Sequence, residues 1–127
     1  MNIDHVALYV EDLESEKDFF ETYFNGKAGG KYHNEKTGFT SYFISFGNKT
    51  RLEIMNMPGL EKCVNKPVMA GYIHIAFNTG SKENVNALTE RLRTDGFTVT
   101  SEPRITGDGY YESVIKDKEG NLIEITI

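Results

Sequence analysis

Two histidines and two glutamates stand at matched places in this chain. His5 lies in DHVALYV and His74 in IHIAFNT, while Glu53 lies in RLEIMN and Glu124 in LIEITI. The spacing from His5 to Glu53 is 48 residues, and from His74 to Glu124 it is 50. Neutral imidazole and ionised carboxylate are good donors to a divalent cation, and a set of two nitrogens and two oxygens leaves room for water or substrate. That suits a catalytic centre, because structural zinc sites are closed and usually rich in thiolate. Ni, Zn, Co, Fe and Mn all accept such a set, and ligand type alone does not choose among them. A carboxylate in mid-strand, flanked by Ile and Leu, is costly to bury without a partner. A solvated strand face would account for any one of the four. Their symmetric recurrence favours one metal ion held by His5, Glu53, His74 and Glu124.

The elements that must position these groups form a repeat. In the first half, Ile3 to Val10 reads as a strand, and Asp12 can cap a helix whose apolar stripe is Phe19, Phe20, Tyr23 and Phe24. Asn25-Gly26 should end that helix, with Gly26 as the left-handed residue. A weak strand is expected over residues 27–32, then two stronger ones over 39–46 and 50–55, with a tight turn at Gly47-Asn48. The second half repeats the order. A strand covers 72–77, and Ser81 caps a helix carrying Val85, Leu88 and Leu92 that ends at Asp95-Gly96. Strands follow over 97–100, 110–116 and 121–127, with a turn at Glu119-Gly120. The expected architecture is α+β, a single domain over residues 1–127 built of two βαβββ modules, 1–56 and 72–127, joined by a linker over 57–71. A repeat this short cannot bury its apolar faces alone, so the two copies should share a core.

Strand alternation assigns the faces. His5 falls with Ile3, Ala7 and Tyr9, and Glu53 with Arg51 and Met55. His74 falls with Tyr72 and Ala76, and Glu124 with Leu122 and Thr126. The opposite faces are continuously apolar, as surfaces packed on helices should be.

Composition narrows the function. The 127 residues carry 14 Lys plus Arg against 19 Asp plus Glu, for a formal charge of −5, with no basic stripe to follow a nucleic acid. Cys63 is the single cysteine, so an internal disulfide is excluded, and its polar setting without a neighbouring histidine argues against a nucleophile. No apolar run approaches the roughly 20 residues of a membrane span, and MNIDHVALYV reads as a strand rather than a signal peptide. The expected location is cytoplasmic.

The segments DHVALYVEDLE, RLEIM, GYIHIAF and DKEGNLIEITI resemble the vicinal oxygen chelate superfamily, and the likeness runs over essentially the whole chain. That superfamily includes glyoxalase I, fosfomycin-resistance proteins, methylmalonyl-CoA epimerase, extradiol dioxygenases and bleomycin-resistance proteins. The resemblance implies paired βαβββ modules whose curved mixed sheets form a cup around the metal. It also implies a homodimer with sites between subunits, in keeping with the open sheet edge each module should present. The His/Glu/His/Glu set is most similar to that of glyoxalase I. This implies a lyase or isomerase acting on a small vicinal-oxygen substrate such as a hemithioacetal, through a metal-stabilised enediolate, with Glu124 as first choice for the base and Glu53 as second. Two positions depart from glyoxalase I: Tyr9 stands where an Arg is typical, and Met57 where an Asn is typical. The alternatives are a thiol transferase of the fosfomycin type and a metal-free drug-binding protein of the bleomycin-resistance type.

The neighbours of the ligands point to the substrate. Arg51, on the Glu53 face, would favour an anionic group, unless it pairs with Glu53 or Glu112. Arg104 precedes the loop Thr106-Gly107-Asp108-Gly109, which reads either as a mobile flap or as an ordinary turn. Tyr9, Tyr42, Tyr72 and Tyr110 or Tyr111 are candidates to line an organic substrate.

Overall fold

Each half of the chain lays one helix across one face of a mixed sheet. The computed structural model describes residues 3–47, 50–62, 70–107 and 109–127. Cys63 and Asp108, and the Asn48 of the expected turn, lie outside the described residues. The chain divides into two units, Met1–Val68 and Met69–Ile127.

The first unit, module one, contains β1 (Val6–Tyr9), α1 (Leu13–Phe24), β2 (Lys27–Ala28), β3 (Tyr32–His33), β4 (Thr40–Phe46) and β5 (Thr50–Asn56). Its sheet runs β1-β5-β4-β2, with β3 also paired to β4. The β1–β5 pair is parallel and the rest antiparallel. The weak strand expected over 27–32 is therefore two short ladders separated by Gly29-Gly30. Without side chains to pack, those glycines interrupt the pleat.

The second unit, module two, contains β6 (His74–Asn78), α2 (Lys82–Thr94), β7 (Thr98–Ile105), β8 (Tyr111–Lys116) and β9 (Leu122–Thr126), in the order β6-β9-β8-β7. Again only the first and last strands pair in parallel. β7 runs well past its expected end, through Pro103, with register shifts against β8 on either side of Ser101. It is an edge strand, where an irregular ladder tolerates a missing N–H.

The helices are capped as anticipated at their starts. Asp12 accepts from the Ser15 N–H at 3.0 Å and Ser81 from the Asn84 N–H at 3.2 Å. The α1 terminus differs from expectation: Asn25, at φ 54°, is the left-handed residue, not Gly26. Gly26 is needed for a different reason, since a Cβ there would sit 2.7 Å from Ile44 Cγ2 and 3.0 Å from the Phe20 carbonyl oxygen. At the end of α2, Gly96 takes φ 93° as expected.

Each helix buries one sheet face. In module one Phe19, Phe20 and Phe24 pack with Ile44, Leu52 and Ile54; in module two Val85 and Leu92 pack with Ile115, Ile123 and Ile125. Full burial of one such side chain contributes about 1.5–3 kcal/mol. Among the described residues no helix is long and apolar enough to cross a membrane.

Candidate functional site

The face of each sheet turned away from its helix carries the candidate ligands. Along β5, Leu52 and Ile54 are buried while Arg51, Glu53 and Met55 are half-buried; along β9, Ile123 and Ile125 are buried while Leu122, Glu124 and Thr126 are half-buried. Both assignments follow the expected alternation. The partner of Glu53 across the parallel ladder is Ala7, and that of Glu124 is Ala76. A methyl group opposite each carboxylate leaves space for the histidine two residues earlier to reach across the diagonal.

The histidines use that space. His5 Nε2 stands 3.7 Å from Glu53 Oε2, and His74 Nε2 stands 3.4 Å from Glu124 Oε2. The side chains match in exposure as well, at 35% and 16% for His5 and Glu53 against 37% and 15% for His74 and Glu124. Both separations exceed the 2.7–3.2 Å of an N–H···O hydrogen bond. Two ligands each about 2.1 Å from one ion, at a tetrahedral angle, would stand roughly 3.4 Å apart. The donor types and their spacing therefore fit a shared divalent cation. Each unit brings these two candidate donors together, and among the described residues no group of three or more His, Cys, Asp or Glu suited to a metal occurs.

Around His5 the structure adds partners that strand alternation did not anticipate. His5 Nδ1 lies 2.8 Å from Asp4 Oδ2. A carboxylate only accepts, so Nδ1 carries the proton and Nε2 is the atom turned to Glu53. The Arg51 guanidinium also donates to Asp4. These bonds, first from His5 and then from Arg51, hold the Asp4 carboxyl below its ordinary range. Phe43, the ladder partner of Glu53, meets the His5 ring edge-on at 5.0 Å, and Arg51 lies 4.8 Å above the Phe43 ring. Arg51 is thus on the expected face, with its charge engaged by Asp4.

The remaining candidates separate. Tyr9, at the end of β1, is exposed and pairs with Met55, on the Glu53 face. Tyr72 precedes β6 and is fully exposed. Tyr110 precedes β8 and is also exposed. Tyr42 turns to the helix side, donating its hydroxyl to Glu14 at 3.1 Å, and Tyr111 does likewise, donating to Asn86 at 2.7 Å. Arg104 belongs to β7 rather than to a loop. It stands opposite Glu112 at 3.9 Å and donates to Ser101. After it, the Thr106 N–H lies on the Tyr110 carbonyl at 2.8 Å and the Gly109 N–H on the Thr106 carbonyl at 2.9 Å. Glu112, paired in register with Thr126 and only 15% exposed, is a further carboxylate on the Glu124 face. Its site facing could not be read from sequence, because TGDGYYES offers no alternation to set the register.

Residues 2–125 match the family model described as the Glyoxalase/Bleomycin resistance protein/Dioxygenase superfamily. The chain is 26% identical over 129 residues to YqjT of Bacillus subtilis (strain 168), itself uncharacterised, covering 95% of this chain and 94% of that one. It superimposes with a TM-score of 0.83 on a glyoxylase/bleomycin resistance protein/dioxygenase domain from Frankia sp. EAN1pec, at 16% identity, covering 100% of this chain and 97% of that one. Glyoxalase I from Zea mays aligns at a TM-score of 0.76 and 23% identity over 97% of this chain, which spans only 43% of the maize protein. At these identities the structural likenesses speak to fold alone.

Proposed function

This chain belongs to the Glyoxalase/Bleomycin resistance protein/Dioxygenase superfamily, and from that premise we propose that it is a divalent-metal-dependent lyase or isomerase of the glyoxalase I kind. Its substrate would be a small molecule bearing adjacent oxygens, such as a hemithioacetal. The observation that carries the reading is the pair of matched His–Glu contacts, His5 with Glu53 and His74 with Glu124. Each module supplies half of a four-ligand set. A homodimer, in which module one of one chain meets module two of the other, is the assembly that completes it.

His5, Glu53, His74 and Glu124 would hold the ion, which would supply Lewis-acid polarisation of the substrate. The protein supplies the rest. Glu124 takes the proton from the substrate carbon and returns it to the neighbouring carbon, and Glu53 is the second candidate for that role. Val114 and Ala76 flank Glu124 on the neighbouring strands; these apolar neighbours limit water around the carboxylate and favour transfer to substrate over exchange with solvent. Tyr9, Tyr72 and Tyr110 offer aromatic surface, and Arg104 offers a cation for an anionic substituent.

The test is metal content of the purified protein together with isomerisation of methylglyoxal–thiol hemithioacetals. About one first-row ion per chain and metal-dependent turnover are expected. Absence of metal after reconstitution would overturn the reading. It would favour a metal-free binding module, a reading that draws on the lack of any group of three metal-suited donors among the described residues.

A further inference from the structure

The surroundings of His5 form a closed ring of contacts. Asp4 accepts from His5 Nδ1 at 2.8 Å and from Arg51; Arg51 covers Phe43 at 4.8 Å; Phe43 returns to His5 at 5.0 Å, with the two rings at 86°. The imidazole is thereby held by a hydrogen bond at Nδ1 and by a perpendicular contact with the Phe43 ring. By the register of the repeat, module two has Ile73 where Asp4 stands, Leu122 where Arg51 stands and Val114 where Phe43 stands. None of those side chains can accept a proton or stack a cation, so the ring belongs to module one.

We propose that Asp4, Arg51 and Phe43 are positioning residues that fix His5 as its Nδ1–H tautomer with Nε2 facing Glu53, making module one the pre-organised half of the ion site. The inference rests on the metal reading above and assigns Arg51 a role other than substrate binding. Outer partners of this kind fix ring orientation and raise ligand basicity, and their loss costs roughly 10–100-fold in metal affinity. An exposed Asp–Arg pair contributes little to stability by itself, so the ring should act on the imidazole far more than on the fold.

Two measurements test this. In metal-free wild-type protein, above the histidine titration range, ¹⁵N NMR should show His5 as the Nδ1–H tautomer. Asp4→Ala should abolish that signature, and Asp4→Asn, which keeps an acceptor oxygen, should restore it. In Co²⁺ titrations followed by visible absorption, Asp4→Ala should weaken binding about 10–100-fold. Arg51→Ala should weaken it less, with Asp4→Asn close to Arg51→Ala. An Nε2–H tautomer at His5 in the wild type, or Co²⁺ affinity unchanged in Asp4→Ala, would overturn the proposal. If the wild type bound no Co²⁺, the metal reading would fail, and the tautomer measurement would still decide the ring's role.

Discussion

Module one buries an aromatic cluster beneath its sheet: Phe19, Phe20 and Phe24, with Phe46 meeting Phe20 at 6.1 Å. Module two fills the same place with aliphatic side chains and one polar pair, Thr89 and Ser113, whose hydroxyl oxygens lie 2.6 Å apart. The opposite faces differ as well, since His5 is flanked by Asp4, Arg51 and Phe43, whereas the corresponding positions around His74 are apolar. Yet the His–Glu separations differ by only a few tenths of an ångström. The His–Glu spacing is thus set by what the modules share, namely a parallel first-to-last strand pair, an alanine opposite each glutamate and a histidine on the diagonal. Core composition does not enter.

The largest effect should come from asking whether the two glutamates are equivalent in chemistry as they are in geometry. With an active substrate in hand, Glu124→Gln should lower kcat by about 10²–10⁴-fold at equal metal occupancy, because an amide cannot accept the proton. Glu53→Gln should cost less in kcat and show itself in metal affinity. Should Glu124→Gln keep full turnover, the base would be Glu53, and the modules would exchange roles.

The two cores invite a second contrast, read by chemical denaturation. Phe20→Ala, at a fully buried ring, should destabilise by about 3–5 kcal/mol. In module two, Thr89 gives its proton to the Val85 carbonyl at 2.7 Å, so Ser113 donates to Thr89. Thr89→Val leaves the buried Ser113 hydroxyl unpaired, at a cost of about 1–3 kcal/mol. Adding Ser113→Ala should recover much of that loss. Strictly additive single and double variants would mean that the hydroxyls do not depend on each other.

These contrasts also mark what the sequence made legible. The repeat, both sheets, both N-caps and the faces of Glu53 and Glu124 were readable, because period-two alternation of Leu and Ile with polar residues is strong in RLEIM and LIEIT. In TSYFISF each face carries an aromatic, Tyr42 on one and Phe43 between two serines on the other, so the helix-side turn of Tyr42 and the site-side position of Phe43 were not. The place of Asp4 beside His5 was not readable, because alternation puts it on the opposite face, but it precedes the β1 ladder, where that rule no longer holds. The left-handed Asn25 was hidden by the glycine after it, whose role is close packing against Ile44 rather than backbone freedom.

The smallest predicted effect concerns the strand ends. Asp117, at the close of β8, is buried and accepts from the Glu119 N–H at 2.9 Å, the Asn121 N–H at 2.7 Å and Asn121 Nδ2 at 2.8 Å. The matching position of module one holds Phe46, which does not titrate. Burial raises the Asp117 carboxyl above its ordinary value, and the three bonds only partly oppose that shift. The folded state therefore holds a proton more tightly than the unfolded chain does. Its stabilising contribution is complete below the ordinary carboxylate value of 3.8 and is lost as pH rises through the raised one. Asp117→Asn removes that titration while keeping an oxygen for the backbone N–H groups, and it forfeits the bond from Asn121 Nδ2. Unfolding free energies of wild type and variant, compared from pH 4 upward, should therefore shift in the variant's favour as pH rises, until Asp117 is fully ionised. A constant difference across that range would show that Asp117 titrates alike in the folded and unfolded chains, and the turn of module two would then be no more pH-sensitive than that of module one.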